Sequence, residues 1–294
     1  MQILCVRLTP AYLVGFGGAA CSQNIQGIDT APVLGLDHIP LAVADLDEAA
    51  ETFRELGFTL KPGRIHENGI QNQHVKFPDG TEIELISASK ARDPLTAEYL
   101  RYLASGDGAA FVGFYAPDMD RLASQLDADG RNYRIDDGLL SFPESDEPRY
   151  IFFGQRIRST TDQPAHFEHP NAAEALIGVW IAGDNLTAEY QLLTSLGAAI
   201  SGQEVHIPES LNARVARLQQ AEVVFLAGSR QLVPGRRIVG ATIRTSDLDA
   251  LRGVLTAASL DVPPLVLTNN GLSMFIPPNI THGIWLEFRQ DVGG

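Results

Sequence analysis

The chain has 294 residues, of which 45% are hydrophobic and 20% charged, and its formal net charge is −14. This length and composition predict a folded protein with one large core or two of ordinary size, and the acidic charge repels phosphate backbones and so argues against nucleic-acid binding. Two cysteines near the N-terminus exclude both a disulfide framework and a cysteine-based zinc site.

The first predicted element is a leader with its linker, residues 1–32. An apolar run ends in small residues directly before Cys21, and a polar stretch follows. This order resembles a bacterial lipoprotein signal, which predicts lipidation at Cys21, a lipid anchor, and a periplasmic or membrane-anchored location. The alternative is an N-terminal extension without this role, which leaves a cytoplasmic location open.

One pattern occurs four times after the leader: an apolar strand, an aspartate and an amphipathic helix. Each aspartate can accept hydrogen bonds from the first turn of the helix that follows it. Three short β-like segments come after each helix, so each unit is predicted to be βαβββ. The four aspartates are Asp45, Asp118, Asp184 and Asp247.

The predicted fold class is therefore α+β, with four βαβββ units that pair into two curved half-barrels, each around a cavity. Residues 33–158 and 175–291 are expected to form an N-terminal and a C-terminal domain of two units each. The polar, proline-containing stretch 159–174 is the expected linker. The sequence leaves open whether the units pair within one chain or between the chains of a homodimer.

Three short stretches carry a family resemblance: LDHI at 36–39, GIQN at 69–72 and DGTEIEL at 79–85. With the repeat, they resemble the vicinal oxygen chelate superfamily in its glyoxalase-like domain branch, whose half-barrels also occur in dihydroxybiphenyl dioxygenase. The resemblance implies a divalent metal ion such as Zn, Fe, Mn or Ni, held by residues of the first and fourth strands. Such an ion would bind two adjacent oxygens of a small-molecule substrate.

Strand alternation predicts which residues would hold the ion. His38 and Glu84 both lie on the strand face opposite to the apolar core residues, at positions where the family places ligands. Gln155, at the end of the fourth strand of the second unit, is expected to be a third ligand through its amide oxygen. The alternatives are a core histidine at 38, an ordinary strand-end glutamine at 155, and a catalytic-base role for Glu84.

Further polar residues flank this predicted site. Asn72 and His74 share one face of the third strand and are expected to contact the substrate, although a surface position fits the pattern equally well. Arg156 is a candidate for binding a substrate carboxylate. In the second half, Glu287 matches Glu84 but no histidine accompanies it, and a residue near Ala241 takes the position of His38. That half is therefore expected to be a scaffold.

Two functions remain open on this basis. The first is a metal-dependent lyase, isomerase or oxygenase of the glyoxalase-like type that acts on a small molecule with adjacent oxygens. The second is a non-catalytic protein that binds or sequesters a small molecule in the same cavity, which the missing third histidine or carboxylate favours.

Overall fold

The computed structural model describes residues 31–146 and 148–291. The predicted lipidation site, Cys21, lies outside the described residues. Within them, no helix combines the length and the apolar character needed to cross a bilayer. The described part contains five α-helices: α1 (Leu46–Glu55), α2 (Pro94–Leu103), α3 (Met119–Ala128), α4 (Thr187–Ser195) and α5 (Leu248–Ala257).

The N-terminal half contains two five-stranded sheets. The first sheet has the order β3-β4-β5-β2-β6 and the second the order β1-β7-β10-β9-β8. Strands of the first sheet are β2 (His38–Ala42), β3 (Lys61–Ile65), β4 (Gln71–Lys76), β5 (Glu82–Ser87) and β6 (Gly108–Ala109). Strands of the second are β1 (Gly35–Leu36), β7 (Val112–Tyr115), β8 (Arg134–Asp136), β9 (Leu139–Ser141) and β10 (Ile151–Gly154).

The two sheets are joined where the chain passes from one to the other. Asp37 separates β1 from β2, and its N–H donates to the carbonyl of Gly113 just after the start of β7. Residues 110–111 make the same passage between β6 and β7. The sheets therefore curl towards each other as one half-barrel.

The C-terminal half forms a third sheet of eight strands, in the order β12-β13-β14-β11-β15-β18-β17-β16. Its strands are β11 (Ala173–Ala182), β12 (Ala199–Ile207), β13 (Glu209–Arg217), β14 (Glu222–Leu226), β15 (Ile238–Thr245), β16 (Val266–Thr268), β17 (Gly271–Ile276) and β18 (Trp285–Gln290). The predicted α+β architecture of four βαβββ units is confirmed, with half-barrel sheets. The described residues from 31 to 291 belong to one compact unit, and the division into two domains at a 159–174 linker stays a prediction.

Three of the four aspartates predicted to cap helices do so. Asp45, Asp118 and Asp247 each accept backbone N–H groups in the first turn of α1, α3 and α5. The prediction for Asp184 is wrong, because α4 begins two residues later than the pattern suggested and its N-cap residue, Leu186, has no side-chain acceptor.

Helix α2 was not predicted, although its signals are local. Asp93 accepts from the Thr96 N–H, the Thr96 hydroxyl oxygen accepts from the Asp93 N–H, and Pro94 occupies the first turn. The helix lies between the first and second units, so it is not part of the repeated pattern. The β12–β13 hairpin is also longer than predicted, with nine residues in each strand.

One face of the first sheet packs into the apolar core, and the other face does not. Ile39, Leu41, Ile83 and Leu85 are fully buried and cluster with Phe53 of α1. The residues between them on β2 and β5 point to the concave face. The polar residues of the candidate site therefore lie on the face that the helix does not cover.

Candidate functional site

The site begins with the histidine at the start of β2. Nδ1 of His38 lies 2.9 Å from Oδ2 of Asp37. Its ring meets that of Phe152 from β10 in an edge-to-face contact, with the ring centroids 4.9 Å apart. These two contacts fix the imidazole from two sides, and Nε2 is the nitrogen left to face the concave side.

Glu84 on β5 faces that nitrogen. Its Oε2 lies 3.8 Å from Nε2 of His38, which is too long for a hydrogen bond. Its Oε1 accepts a 2.6 Å hydrogen bond from the side-chain amide of Asn72. The structure thus brings His38 and Glu84 together as the strand alternation predicts, with one carboxylate oxygen held and the other directed at the imidazole.

Asn72 is fixed by its own neighbours. Its side-chain oxygen accepts the N–H of Arg64 at 3.0 Å, and its amide nitrogen lies 3.3 Å from Nε2 of His66. Gly63 permits this approach, since a Cβ there would overlap Asn72. The contacts give Asn72 the task of orienting Glu84, and its predicted contact with a substrate stays a prediction.

The charges of the site shift two pKa values in opposite directions. Burial lowers the pKa of His38, but the charge of Asp37 and the hydrogen bond to it outweigh burial. Glu82 and Glu84 act in the same sense, and the pKa of His38 rises to about 9. Burial raises the pKa of Glu82, yet contact with His74 and the charge of His38 outweigh it and lower that pKa to about 2. Without an ion, His38 is therefore protonated at neutral pH, and the carboxylate of Glu82 is ionised.

His74 lies on the same concave face but belongs to a separate set of ion pairs. Its Nδ1 is 3.5 Å from Oε1 of Glu82, and Nζ of Lys76 is 3.1 Å from Oε2 of the same carboxylate. Asp162, from the connection between the halves, contacts Lys76 at 3.4 Å and Lys61 at 2.6 Å. The predicted substrate contact of His74 remains a prediction, and its observed partner is Glu82.

Gln155 is not directed at the His38–Glu84 pair. Its side chain is exposed, and its amide donates to the carbonyl of Pro117 at 2.9 Å. Gln155 directly follows β10, which ends at Gly154. Phe152 of that strand faces His38, so continued alternation would turn residue 155 to the other face. Gln155 as a third ligand stays a prediction without a supporting contact.

Arg156 is used in a structural role. Its Nε and Nη2 donate to the carbonyl of Leu36, and its Nη1 donates to Oε1 of Gln220 at 2.8 Å. The guanidinium lies over the ring of Tyr115, 4.6 Å from the centroid. These contacts tie strand β1 to the C-terminal half, and the predicted substrate-binding role stays untested.

Helix α2 brings one further group near the site. Tyr99 is 4% exposed and its ring packs against Phe111, with the centroids 5.5 Å apart. Burial, and then the charge of Glu84, raise the pKa of Tyr99 well above its ordinary value. The phenol therefore keeps its proton at neutral pH.

Sequence reasoning missed Asp37, Phe152 and Tyr99 at the site. Asp37 stands directly before His38, and this adjacency was the only local signal. Phe152 and Tyr99 come from a different sheet and from α2, so their proximity to His38 and Glu84 depends on how the sheets and α2 pack.

The equivalent position in the C-terminal half carries a buried ion pair. Glu287 is 1% exposed, and Arg289 binds its two oxygens through Nε and Nη2, both at 3.0 Å. The hydroxyls of Ser273 and Thr242 donate to the same carboxylate at 2.7 and 2.8 Å. The carboxylate that corresponds to Glu84 is therefore fully occupied by protein donors.

The position of His38 has no polar side chain in this half. Pairing of β15 with β18 places Thr242 opposite Glu287, as pairing of β2 with β5 places Pro40 opposite Glu84. The counterpart of His38 is therefore Gly240, one residue before the predicted Ala241. A Cβ at Gly240 would overlap the ring of Trp180, which fills the space of the missing imidazole.

The donors of the N-terminal site fit a divalent ion in type. An imidazole oriented by a carboxylate on its other nitrogen is the usual arrangement of a metal-bound histidine. Two metal–ligand bonds add up to about 4.2 Å, whereas Nε2 and Oε2 are 3.8 Å apart. Both atoms can therefore bind one ion if the angle that they make at the ion is less than 180°. The ion and the proton on Nε2 would compete.

The N-terminal site offers few side chains that could bind a metal ion. Among the described residues, no group of three or more His, Cys, Asp or Glu side chains is arranged to hold a metal ion. His38 and Glu84 could therefore supply two ligands, and water or substrate oxygens would complete the shell.

A protein-family comparison finds a match over more than half of the chain. The family described as "Glyoxalase-like domain" matches residues 36–197, which include β2 to β11 and α1 to α4. No curated protein sequence matches the chain.

Solved structures with the same fold include two whose names contain a dioxygenase. A xylose isomerase-like TIM barrel/4-hydroxyphenylpyruvate dioxygenase fusion protein is 11% identical, with a TM-score of 0.66. The match covers 90% of this chain and 50% of that protein, so the chain spans half of its length.

Two others match over most of their length. A triple mutant of 4-hydroxymandelate synthase from Streptomyces coelicolor is 13% identical, with a TM-score of 0.62 and coverage of 90% of this chain and 94% of that one. A catechol 2,3-dioxygenase is 14% identical, with a TM-score of 0.59 and coverage of 89% of both chains. At these identities the likeness shows the fold alone.

Proposed function

The chain belongs to the glyoxalase-like domain family of the vicinal oxygen chelate superfamily, and we propose that its N-terminal half-barrel is a divalent-metal-dependent site for a small molecule with adjacent oxygens. The reaction class is that of a lyase, isomerase or oxygenase. The observation that carries the proposal is the approach of His38 Nε2 to Glu84 Oε2 at 3.8 Å on the concave face.

His38 and Glu84 would hold the ion. When bound, it would act as a Lewis acid that polarises the two substrate oxygens and stabilises negative charge on them. Asp37 accepts the Nδ1 proton of His38 and thereby directs Nε2 at the site. Asn72 performs the same task for Glu84, since its donation to Oε1 leaves Oε2 as the free oxygen.

Proton transfer would fall to the same carboxylate. Glu84 is the candidate base if water completes the metal shell, because its Oε2 has no protein hydrogen-bond donor within reach among the described residues. Tyr99 keeps its proton at neutral pH, because burial and the charge of Glu84 raise its pKa, and it is therefore not a candidate base. Phe152 covers one side of the imidazole and restricts the access of water to it.

Ion binding by the metal-free protein tests the proposal. We expect one Zn, Fe, Mn or Ni ion per chain by calorimetry and elemental analysis, with affinity at least 100-fold weaker in His38→Ala and in Glu84→Gln. His206→Ala and Glu209→Gln are matched controls in the C-terminal half and should bind as the original protein does. Absence of binding, or equal binding by all four variants, would contradict the proposal.

A non-catalytic binding protein is the second candidate. It is favoured by the small donor set, because two protein ligands hold an ion weakly and a sequestering cavity needs no ion. This function predicts that a small molecule is retained by the protein after metal is removed. Metal-stimulated turnover of a diketone, a hemithioacetal or a catechol would rule it out.

A further inference from the structure

The strap, residues 157–168, lies between β10 and β11 and belongs to no strand. Buried contacts hold the chain on both sides of it. On one side Arg156 donates to a carbonyl of β1, and on the other His169 binds the N–H of Thr59 and the carbonyl of Lys76. Long irregular connections of this kind are uncommon in compact proteins and usually carry a function.

The strap is packed by its own side chains. The guanidinium of Arg158 lies over the ring of Phe167, 4.6 Å from its centroid, and joins the two ends of the strap. Between them, the N–H of Gln163 donates to Nδ1 of His166 at 3.1 Å. Surface loops with this kind of internal packing are Ω-loops. The strap can therefore shift as one unit between its two fixed ends.

One carboxylate of the strap reaches the concave face of the first sheet. The side chain of Asp162 is only 5% exposed, whereas its neighbours Thr161 and Gln163 are exposed. Its Oδ1 lies 2.6 Å from Nζ of Lys61, and its Oδ2 lies 3.4 Å from Nζ of Lys76. Asp162 therefore holds the strap against the sheet through two ion pairs.

The two lysines depend on this carboxylate. Each is only 8% exposed, and a buried ammonium group without a counter-ion is strongly destabilising. Lys76 has a second partner, since its Nζ lies 3.1 Å from Oε2 of Glu82. Lys61 forms no ion pair with any other described residue. The strap can therefore leave the sheet at low cost only if another anion takes the place of Asp162.

The charges around the lysine pair restrict the anion that could do so. Lys61 and Lys76 carry two positive charges, and Asp162 and the ionised Glu82 carry two negative ones. A monoanion in place of Asp162 keeps this balance. A neutral molecule would leave one positive charge unpaired, and a dianion would add a negative charge beside Glu82. A carboxylate also matches the geometry, because its two oxygens can reach both ammonium groups as those of Asp162 do.

The lysine pair lies on the same face as the candidate metal ligands. Lys76 pairs with Glu82 on the neighbouring strand, and Glu82 pairs with His38 on the next one. Two strand spacings, about 10 Å, therefore separate the backbones of Lys76 and His38. A small molecule bound at the lysine pair by one end could extend along this face towards His38.

We propose that Lys61 and Lys76 bind the carboxylate of a small monoanionic ligand, and that Asp162 occupies this site while the strap is closed. The incoming carboxylate replaces Asp162 between the same two ammonium groups, and the strap moves away from the concave face. Because the ligand binds only after Asp162 has left, it shifts the population to the open state. As a substrate subsite the lysine pair rests on the proposed function of the N-terminal half-barrel, whereas carboxylate binding itself needs no metal ion.

Acetate is the probe for the lysine pair, used on chelator-treated full-length protein at constant ionic strength. In Asp162→Ala the site is vacant, so acetate should raise the unfolding temperature in a saturable manner. Its apparent Kd should be about tenfold lower than in the original protein, where acetate competes with Asp162. Acetamide, which has the same shape without the charge, should have little effect. Asp261→Ala removes an exposed aspartate of the C-terminal half and should respond as the original protein does.

Hydrogen exchange of the strap amides measures opening directly. Acetate at saturation should increase their exchange rate about threefold in the original protein, which requires no variant. Asp162→Asn keeps the shape of the side chain but removes its charge, and should give the same increase without acetate. In the double variant Lys61→Met/Asp162→Ala the stabilisation by acetate should disappear.

Three results would overturn the proposal: an equal acetate response in Asp162→Ala and Asp261→Ala, equal effects of acetate and acetamide, or unchanged strap exchange in Asp162→Asn. Ion binding at His38 and Glu84 is measured separately. Failure of the carboxylate site is therefore distinguished from failure of the metal site.

Discussion

Glu84 and Glu287 occupy equivalent positions on β5 and β18, but only Glu84 has an oxygen that faces an imidazole without a protein hydrogen bond. Its Oε2 lies 3.8 Å from Nε2 of His38, whereas Glu287 receives donors from Arg289, Ser273 and Thr242. The site at Glu84 can therefore accept a metal ion, whereas at Glu287 the guanidinium of Arg289 already provides the positive charge.

The first prediction concerns the stability of the Arg289–Glu287 pair. Arg289→Met should lower the free energy of unfolding by about 3–5 kcal/mol, because it leaves a buried carboxylate without its cation. The double variant Arg289→Met/Glu287→Gln should recover part of this loss, since no unpaired charge remains. Urea denaturation measures both.

The control for this pair is Arg252→Met, which removes an exposed arginine paired with Asp249 in α5. It should change the stability by less than about 1 kcal/mol. An Arg289→Met protein as stable as this control would show that the buried pair is not needed for folding.

The second prediction concerns the orientation of His38. Asp37→Asn removes the carboxylate that holds Nδ1 but keeps the shape of the side chain. Divalent-ion affinity should fall by about 10–100-fold, as is usual when the partner of a metal-bound histidine is lost, with the urea midpoint close to that of the original protein. Unchanged affinity would mean that Asp37 does not orient the imidazole.

The third prediction concerns the third ligand proposed from the sequence. Gln155→Ala should leave ion affinity unchanged, because the Gln155 amide is exposed and bound to Pro117. Calorimetry on this variant beside Glu84→Gln gives the comparison. A tenfold or greater loss would restore Gln155 as a ligand and would require β10 to shift on ion binding.

The fourth prediction concerns pH and His169. This residue is 9% exposed and lies between Phe58 and Phe77. Its Nδ1 accepts the N–H of Thr59 and its Nε2 donates to the carbonyl of Lys76. Burial lowers its pKa from 6.5 to about 4, and the Lys76 hydrogen bond opposes this only in part.

The direction in which the stability changes with pH follows from proton binding at His169. Between about pH 6.5 and pH 4 the unfolded chain binds a proton at His169 and the folded chain does not. Stability is therefore complete above pH 6.5 and decreases as the pH falls to about 4, by up to about 3 kcal/mol. Urea denaturation from pH 4 to 8 should show a smaller decrease in His169→Gln than in the original protein. Parallel curves would contradict the assignment.

Much of the fold could be predicted from local patterns. The aspartates before α1, α3 and α5 cap helices because a carboxylate at that position meets the first-turn N–H groups wherever the helix lies. The capping prediction for Asp184 is wrong because α4 starts later, with Leu186 as its N-cap residue. The repeated pattern does not indicate this later start. Helix α2 could have been predicted from Asp93, Pro94 and Thr96, which are purely local signals.

The sequence by itself determined the repeat, the faces of the strands and the proximity of His38 to Glu84, because alternation and the order of strands in a βαβββ unit follow from short-range geometry. Tertiary structure decided the rest. It placed Phe152 rather than Gln155 beside His38, engaged Arg156 between strand β1 and Gln220, and paired Arg289 with Glu287 and Glu222. These contacts join separate sheets or distant strands, so they depend on packing that no local pattern encodes.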